Sequence, residues 1–229
     1  MTARPCIAIE EFLGKVPLFA GLAHHELARL AEGAVQLDVR RGTSLFRRGD
    51  PCTGIHVIVY GQVKLVLHSA QGAEKVVELL GRGQSLGGPV LFLNRPHRVT
   101  AETLEHSMLV HIPKARVLAE VERHVGFARR IIADLSHRLD HFISDLESVT
   151  LRSGTQRVVG YLLTNVQVCP RDGAAVTLPA TKGIIASRLN LTQEHFSRIL
   201  HELAAAGLIG VDGRDIRIPD VERLRARAA

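Results

Sequence analysis

The sequence predicts an α+β protein built from three consecutive parts. Short β-branched segments separated by glycine-containing turns occupy the region from about residue 35 to 112. A long stretch with three-four apolar spacing follows, and short amphipathic segments with a final hairpin pattern complete the chain. Because strand alternation gives way to helical periodicity, the chain divides into domains at residues 1–123, 124–151 and 152–229.

The composition predicts packed cores and no membrane span. Of the 229 residues, 46% are apolar, but no apolar run is long enough to cross a bilayer. The N-terminus carries Glu10 and Glu11 and lacks a signal-like apolar stretch, so we expect a cytoplasmic protein. The three scattered cysteines, Cys6, Cys52 and Cys169, indicate a reducing compartment and no disulfide framework. A net charge of +6 suggests a polyanionic partner.

The N-terminal part has the pattern of short helices followed by many short strands. Apolar residues at 16–19 and 27–30 predict the helices, with Gly21 between them. Turns such as Gly49-Asp50-Pro51 and Gly61-Gln62 separate the strands, which predicts a β-sandwich or barrel. Pro113 ends the sheet and opens a helix at 114–123. The main strand segments are 56–60, 63–67, 75–80, 99–103 and 108–112.

Residues 125–149 predict one long helix with a dimerisation seam. Its apolar positions alternate spacings of three and four over more than three heptads, which is typical of a coiled coil. We expect a parallel coiled coil between identical subunits, while a helix packed only on its own domain stays open. Ile131 and Ile143 lie beside the seam and are expected to pack on the N-terminal domain. The seam consists of Val125, Ala128, Ile132, Leu135, Leu139, Phe142, Leu146 and Val149.

Residues 181–203 predict two short helices joined by a tight turn. Thr181 and Thr192 are suited to cap the two helices, and Asn190 between them tolerates a left-handed turn conformation. Apolar residues at 196, 199, 200 and 203 form the buried face of the second helix, which is the pattern of a helix-turn-helix. The segment 207–218, with its Asp212-Gly213 turn, adds a hairpin and makes the motif a winged helix-turn-helix.

The second helix of this motif carries polar residues suited to reading DNA bases. Gln193, Glu194, His195, Ser197 and Arg198 are expected to be exposed. An arginine can bind guanine bidentately and a glutamate can accept from the cytosine amino group, so Glu194 and Arg198 suit one G·C pair. An ordinary Glu–Arg ion pair four residues apart is the alternative.

Backbone phosphates have a separate set of candidate ligands. Helix N-termini bind anions through free amides, and exposed cations add charge. The candidates are Thr181, Lys182, Arg188, Thr192 and Arg214.

The chain resembles the CRP/FNR superfamily of bacterial transcription regulators. The resemblance covers residues 18–218 and rests on Gly49-Asp50 and Gly61, on the long helix, and on the run 193–198. It implies a cyclic-nucleotide-binding-like jelly roll, or β-roll, before the helix. The Glu-x-x-Ser-Arg pattern is similar to the FNR and DNR branches, which implies that Glu194, Ser197 and Arg198 read bases. Sites resembling TTGAT–N4–ATCAA and RNA polymerase are the partners that this resemblance implies.

The sensor region departs from several branches of that superfamily. Three cysteines cannot supply the four ligands of an iron–sulfur cluster. The cAMP receptor branch uses a Gly-Glu and an Arg-Ser pair, but the stretch 85–92 in that region contains no glutamate and Arg98 lacks a following serine, so cAMP binding is not expected. The remaining resemblance, to the DNR type, implies nitric oxide sensing through haem and a role in denitrification. The sequence does not distinguish among four candidate haem ligands, which are His24, His25, His97 and His111.

An effector pocket is expected between the β-roll and the long helix. Its predicted lining is Leu86, Val90, Leu91 and Ile131, and a plain hydrophobic core is the alternative for each of them. An effector would shift the coiled coil or the hinge at 151–155 and so change the spacing of the recognition helices.

We expect a homodimeric, effector-gated DNA-binding regulator and not an enzyme. A cupin-like β-barrel enzyme is one alternative, but His56, His68, His106 and His111 lack the spacing of its metal ligands. A cyclic-nucleotide-responsive regulator is the other.

Overall fold

The computed structural model describes residues 7–69, 71–169 and 173–227. Cys6 and residues 170–172 lie outside the described residues. The chain forms two compact units, one of residues 1–72 and 77–139 and the other of residues 73–76 and 140–229. Among the described residues, no helix combines the length and apolar character needed to cross a bilayer.

The N-terminal unit contains the predicted β-roll. Two antiparallel four-stranded sheets have the strand orders β1-β8-β3-β6 and β2-β7-β4-β5. The elements are α1 (Ile9–Gly14), a 3-10 turn (Pro17–Phe19), α2 (His24–Ala31), β1 (Val35–Val39), β2 (Ser44–Phe46), β3 (Gly54–Tyr60), β4 (Val63–His68), β5 (Glu74–Leu80), β6 (Ser85–Leu86), α3 (Gly88–Leu93), β7 (Thr100–Thr103), β8 (Ser107–Pro113), α4 (Lys114–Arg123) and α5 (Val125–Leu151).

Strand alternation divides the interior of this unit into two apolar clusters. Along β3, Ile55 and Val57 point to one side and pack with the helices. Ile58 points to the other side and packs with residues of the second sheet. Because successive side chains of a strand face opposite ways, one strand contributes to both clusters.

The start of α5 belongs to the core of the N-terminal unit. Phe127 is fully buried and stacks on Phe19, with 5.7 Å between ring centroids. Ile131 packs in the same cluster, as expected. The expectation for Ile143 is wrong, because that side chain is 57% exposed. Five of the eight predicted seam residues are exposed, whereas Ala128, Leu135 and Val149 are half-buried.

The C-terminal unit contains the helix-turn-helix and a four-stranded sheet of order β11-β12-β10-β9. The break between α5 and α6 comes at residues 152–153, where the Ser153 hydroxyl accepts from the Gln156 amide, so the capping box starts α6. The elements after α5 are α6 (Gly154–Thr164), β9 (Gln167–Cys169), β10 (Gly173–Thr177), α7 (Lys182–Arg188), α8 (Gln193–Ala205), β11 (Gly210–Asp212), β12 (Asp215–Ile218) and α9 (Val221–Arg225).

The order of these elements confirms the predicted fold class. An N-terminal β-roll, a long helix and a C-terminal winged helix-turn-helix follow one another in an α+β chain. The hairpin of β11 and β12 is the wing, and β12 pairs with β10 on its other side.

Candidate DNA-binding site

The turn between α7 and α8 is held by one residue in an unusual conformation. Asn190 has a φ of +56°, in the left-handed region that asparagine tolerates better than most residues. The Leu191 amide donates to the Ala186 carbonyl at 2.9 Å, and Ala186 is fully buried. Thr192 then caps α8, since its hydroxyl accepts from the His195 amide at 3.2 Å. The sequence-based expectations for Asn190 and Thr192 are confirmed.

The two helices of the motif approach each other closely at Gly183. A Cβ atom at this position would lie 2.6 Å from Oε1 of Gln193. A larger residue at 183 would therefore displace the Gln193 side chain at the start of the recognition helix.

The recognition helix α8 separates an apolar face from a polar one. Phe196, Ile199, Leu200 and Leu203 are all buried. The predicted base-reading residues, Gln193, Glu194, Ser197 and Arg198, are all exposed.

His195 is the exception among the residues expected to be exposed. It is half-buried, and its Cε1 lies 3.2 Å from the position that a Cβ on Gly154 would take. His195 therefore packs on the start of α6.

The Glu194 carboxylate is held in its charged form. A hydrogen bond from its own backbone amide and another from the Thr192 hydroxyl lower the pKa of Glu194. In the described part of the chain Glu194 forms no ion pair with Arg198, so the alternative of an intrahelical pair does not describe this structure. An ionised, exposed acceptor at a helix N-terminus can accept from a base amino group.

The predicted phosphate ligands fall into two groups. Thr181, Thr192 and Arg214 are exposed and Lys182 is half-buried. Thr181 occupies the N-cap position of α7, but its side chain makes no capping hydrogen bond, which corrects the expectation that it caps this helix.

Arg188 does not face solvent as a phosphate ligand would. Its guanidinium pairs with the Asp145 carboxylate of α5 at 2.7 Å and donates to Nε2 of His141 at 3.0 Å. Only 15% of the Arg188 side chain is exposed. In this structure the Arg188 guanidinium binds the Asp145 carboxylate, whereas the sequence predicted that it binds a DNA phosphate.

Arg157 has a structural part in the motif that the sequence did not indicate. From α6, its guanidinium donates to the Val149 carbonyl at 3.2 Å and to the Asn190 carbonyl at 3.4 Å. It therefore connects the last turns of α5 with the turn of the helix-turn-helix. In the sequence it reads as an ordinary polar position of an amphipathic helix, so no signal marked it.

The predicted effector pocket is packed as core. Leu91 and Ile131 belong to the cluster beneath the helices, whereas Leu86 belongs to the cluster between the sheets. Val90 is half-buried on α3. The structure therefore divides the four residues instead of gathering them around one cavity. An open groove of about 700 Å³ lies elsewhere, between α1 and α2, where Ile9 and Leu27 contribute to its lining.

Arg138 of α5 lies between two seam positions and contacts the β-roll. Its guanidinium donates to the Ser85 carbonyl at 2.7 Å and to Asp134 at 3.0 Å, and lies 3.7 Å from Glu78. A heptad pattern identifies apolar positions, but it does not tell which polar positions meet the protein's own strands.

His56 and His97 are buried next to Phe46 in the roll, and His111 is half-buried beside His56. The ring of His97 stacks on Phe46 at 3.6 Å, and the rings of His56 and His111 are 4.5 Å apart. Burial, together with the charges that His111 and His97 would carry, lowers the pKa of His56 to about 3. Burial also lowers the pKa of His97 and of His111. These imidazoles are therefore neutral at neutral pH.

The other candidate haem ligands lie outside the roll. His24 is exposed and lies 3.2 Å from the Glu10 carboxylate, and His25 is also exposed. Within the described ranges, no three His, Cys, Asp or Glu side chains are arranged to hold a metal ion.

Two family matches cover most of the chain. Residues 36–124 match the cyclic nucleotide-binding domain family, and residues 156–227 match the Crp-like helix-turn-helix domain family. The first match falls on the roll and the second on the motif described above.

Three relatives match nearly the whole length of the chain. The chain is 24% identical over 223 residues to the CRP-like cAMP-activated global transcriptional regulator of Mycobacterium tuberculosis, covering 96% of this chain and 100% of that protein. It is 31% identical to a structure described as a candidate cAMP-binding regulatory protein of Silicibacter pomeroyi, with a TM-score of 0.60 and coverage of 96% and 98%. The structure of DNR from Pseudomonas aeruginosa is 29% identical, with a TM-score of 0.52 and coverage of 98% and 99%. The chain therefore belongs to the CRP/FNR family of transcription regulators, which bind DNA through this helix-turn-helix.

Proposed function

We propose that this protein is a homodimeric transcription regulator that binds an inverted repeat resembling TTGAT–N4–ATCAA. The observation that carries the proposal is the shared exposed face of Gln193, Glu194, Ser197 and Arg198 on α8. Glutamate and arginine four residues apart on a recognition helix suit the two bases of one G·C pair. It would act in the cytoplasm on DNA, with RNA polymerase as a further partner.

The exposed apolar side of α5 supports the homodimer. Val125, Ile132, Leu139, Phe142 and Leu146 are between 41% and 67% exposed. Exposed apolar stripes of this kind mark interaction sites, and a two-fold pair of α5 helices would give two recognition helices related by symmetry. Such a pair would match half-sites about one helical turn of DNA apart.

A binding measurement tests the DNA site. The purified protein is titrated, at fixed salt, with a duplex containing TTGAT–N4–ATCAA and with a scrambled duplex of the same composition. We expect at least about a thousandfold tighter binding to the inverted repeat, the lower end of typical specificity ratios. Equal affinities would exclude this sequence as the target.

We propose that DNA binding is gated by an effector other than cAMP. The segment 85–92 contains no glutamate that could hold a ribose hydroxyl, and Val99 follows Arg98 where the cAMP receptor branch has a serine. Calorimetric titration with cAMP tests this proposal, and saturable binding accompanied by tighter DNA binding would contradict it.

The family match to a cyclic nucleotide-binding domain and the cAMP-activated relative from Mycobacterium tuberculosis favour a second candidate. In that case a cyclic nucleotide other than cAMP would bind the roll without a protein carboxylate that accepts from its ribose hydroxyl. Titration with cGMP and with cyclic dinucleotides under the same conditions distinguishes this candidate.

Nitric oxide sensing through haem is a further proposal, based on the resemblance to DNR. The buried Nδ1 atoms of His56 and His111 lack hydrogen-bond partners, so ligand nitrogens are present inside the roll. Leu86, Leu91 and Ile131, however, are packed as core, and this packing does not fit a porphyrin. We therefore assign no step to haem. A visible spectrum of protein mixed with haem tests the proposal, and an unchanged Soret band would remove it.

A further inference from the structure

Two arginines connect the helix-turn-helix to the C-terminal half of α5. Arg188, at the end of α7, binds Asp145 and His141 on α5. Arg157, on α6, binds the Val149 carbonyl of α5 and the Asn190 carbonyl of the turn. Arg188 is the last residue of α7, and Asn190 lies in the segment of three residues between α7 and Thr192, the N-cap of α8. Both arginines therefore hold the turn between the two helices.

The contact between Arg188 and Asp145 differs from an ordinary surface ion pair. The two side chains are 15% and 32% exposed, and the shortest nitrogen–oxygen distance is 2.7 Å. A charge-assisted hydrogen bond of this length is directional, and it holds both partners in one geometry. The pair therefore limits how α7 can rotate against α5.

An exposed ion pair at the C-terminal end of α5 provides a comparison. Arg152 and Glu147, near the end of α5, are 3.6 Å apart, and their side chains are 45% and 56% exposed. Exposed pairs of this kind contribute little to structure because solvent screens them.

We propose that Asp145 and Arg188 form a positioning pair that sets the orientation of the recognition helix relative to α5. Arg188 acts through Asp145 and does not bind a DNA phosphate. Since α8 follows α7 after the short turn at Asn190, fixing the end of α7 also fixes the N-terminus of α8, where the exposed residues Gln193 and Glu194 lie. The inference deepens the proposed function and rests on it for the choice of DNA site.

The first experiment is a double-mutant cycle on DNA specificity. Asp145→Ala, Arg188→Ala and the double variant are titrated with the inverted repeat and with the scrambled duplex. The ratio of the two dissociation constants is the readout, so general effects of charge cancel. Each single variant is expected to lower this ratio by between about 2-fold and 30-fold, and the double variant by no more than either single.

A charge exchange and the salt dependence separate positioning from direct contact. The variant Asp145→Arg/Arg188→Asp is expected to recover most of the ratio lost by Arg188→Ala. In Arg188→Ala, the slope of the logarithm of the binding constant against the logarithm of salt concentration is expected to equal that of the wild type. Loss of a phosphate contact would instead reduce this slope by about one for each contact. The Arg152→Ala and Glu147→Ala variants serve as the matched control and are expected to change nothing.

Hydrogen exchange of residues 182–192 provides a readout that needs no DNA. In both single variants the amides of this segment are expected to exchange faster than in the wild type, while those of the roll stay unchanged. This measurement tests the pair even if the chosen DNA site is wrong. A wild type that does not discriminate between duplexes would count against the proposed site, not against the pair.

Four results would overturn the positioning pair. One is weaker binding to every duplex with a reduced salt slope in Arg188→Ala alone, which would make Arg188 a phosphate ligand. Additive effects of the two substitutions, or tighter specific binding in either variant, would also overturn it. Unchanged hydrogen exchange in correctly folded variants is the fourth.

Discussion

His56 on β3 and His111 on β8 pair across neighbouring strands, and the buried Nδ1 atom of each lacks a hydrogen-bond partner. Their rings are 4.5 Å apart, and His97 adds a third imidazole close to them. A proton on any of these rings would be buried next to the others, so the roll holds the group in its neutral form.

Acid is therefore expected to destabilise the protein through His56. An unfolded histidine titrates near pH 6.5, whereas the pKa of folded His56 is about 3. Between these values the unfolded chain binds more protons. The contribution of neutral His56 to the free energy of unfolding is complete above about pH 6.5. Below that pH it falls by up to about 1.4 kcal/mol per pH unit.

Urea unfolding between pH 7.5 and pH 5 measures this effect. The His56→Gln variant is expected to have a flatter dependence of unfolding free energy on pH than the wild type. Replacement of the exposed His201 by glutamine is the control and is expected to leave the dependence unchanged. Identical slopes for wild type and His56→Gln would contradict the assignment.

Replacement of Arg198 by alanine is expected to relax specificity at one base pair. Arg198 is exposed on α8, four residues from Glu194, and a bidentate contact to guanine carries about 1–3 kcal/mol of discrimination. Binding to duplexes with each base pair replaced in turn identifies the affected position.

Arg214 in the wing provides the comparison for Arg198. It is exposed at the hairpin turn, and Arg214→Ala is expected to weaken binding to all duplexes equally. If Arg198→Ala also weakened binding equally on every sequence, its role in reading bases would be refuted.

A charge in the exposed seam of α5 is expected to prevent dimerisation. Leu139 is 61% exposed in the single chain, and a glutamate there would place two like charges together in a two-fold interface. Sedimentation velocity of Leu139→Glu is expected to show monomers. Ser144→Glu adds the same charge on an exposed part of the same helix between seam positions, and it should remain dimeric. A dimeric Leu139→Glu would place the interface elsewhere.

A methyl group at Gly54 is expected to disrupt the pairing of β3 with β8. The added Cβ would lie 2.0 Å from the Ile112 carbonyl oxygen and 2.6 Å from Cε1 of His111. Overpacking of this kind costs about 1–3 kcal/mol, and a backbone neighbour gives way less easily than a side chain. Thermal unfolding of Gly54→Ala measures the loss.

Gly81 is the matched control for Gly54. A Cβ there would meet nothing within 4 Å, and its φ lies outside the left-handed region. Gly81→Ala is therefore expected to leave the unfolding temperature nearly unchanged. An equal loss in both variants would mean that chain flexibility, and not the contact with Ile112, determines the effect.

Local signals in the sequence were sufficient where neighbouring residues determine the structure. The spacing of Phe196, Ile199, Leu200 and Leu203, with Asn190 before them, predicts the helix-turn-helix because caps, turns and helix faces depend on nearby residues. The roll followed from strand alternation for the same reason.

Contacts between distant segments were not predictable in this way. Arg188 is a helix-terminal cation in the sequence, and nothing nearby tells whether it meets a phosphate or the Asp145 carboxylate. Heptad spacing describes one side of α5, whereas Phe127 packs on Phe19 from the other side. Leu86 and Leu91 are close in sequence, but they belong to different clusters.

The arrangement of the C-terminal sheet implies an order of folding. β10 pairs with β12 through contacts such as Ala174 with Ile218, so its partner is made only after α7 and α8. Contacts between residues far apart in sequence form slowly, whereas the two helices and their turn depend on local contacts. We therefore expect the helix-turn-helix to form first and the wing to close last, so a nascent chain that ends before β12 would expose one side of β10 as an unpaired strand edge.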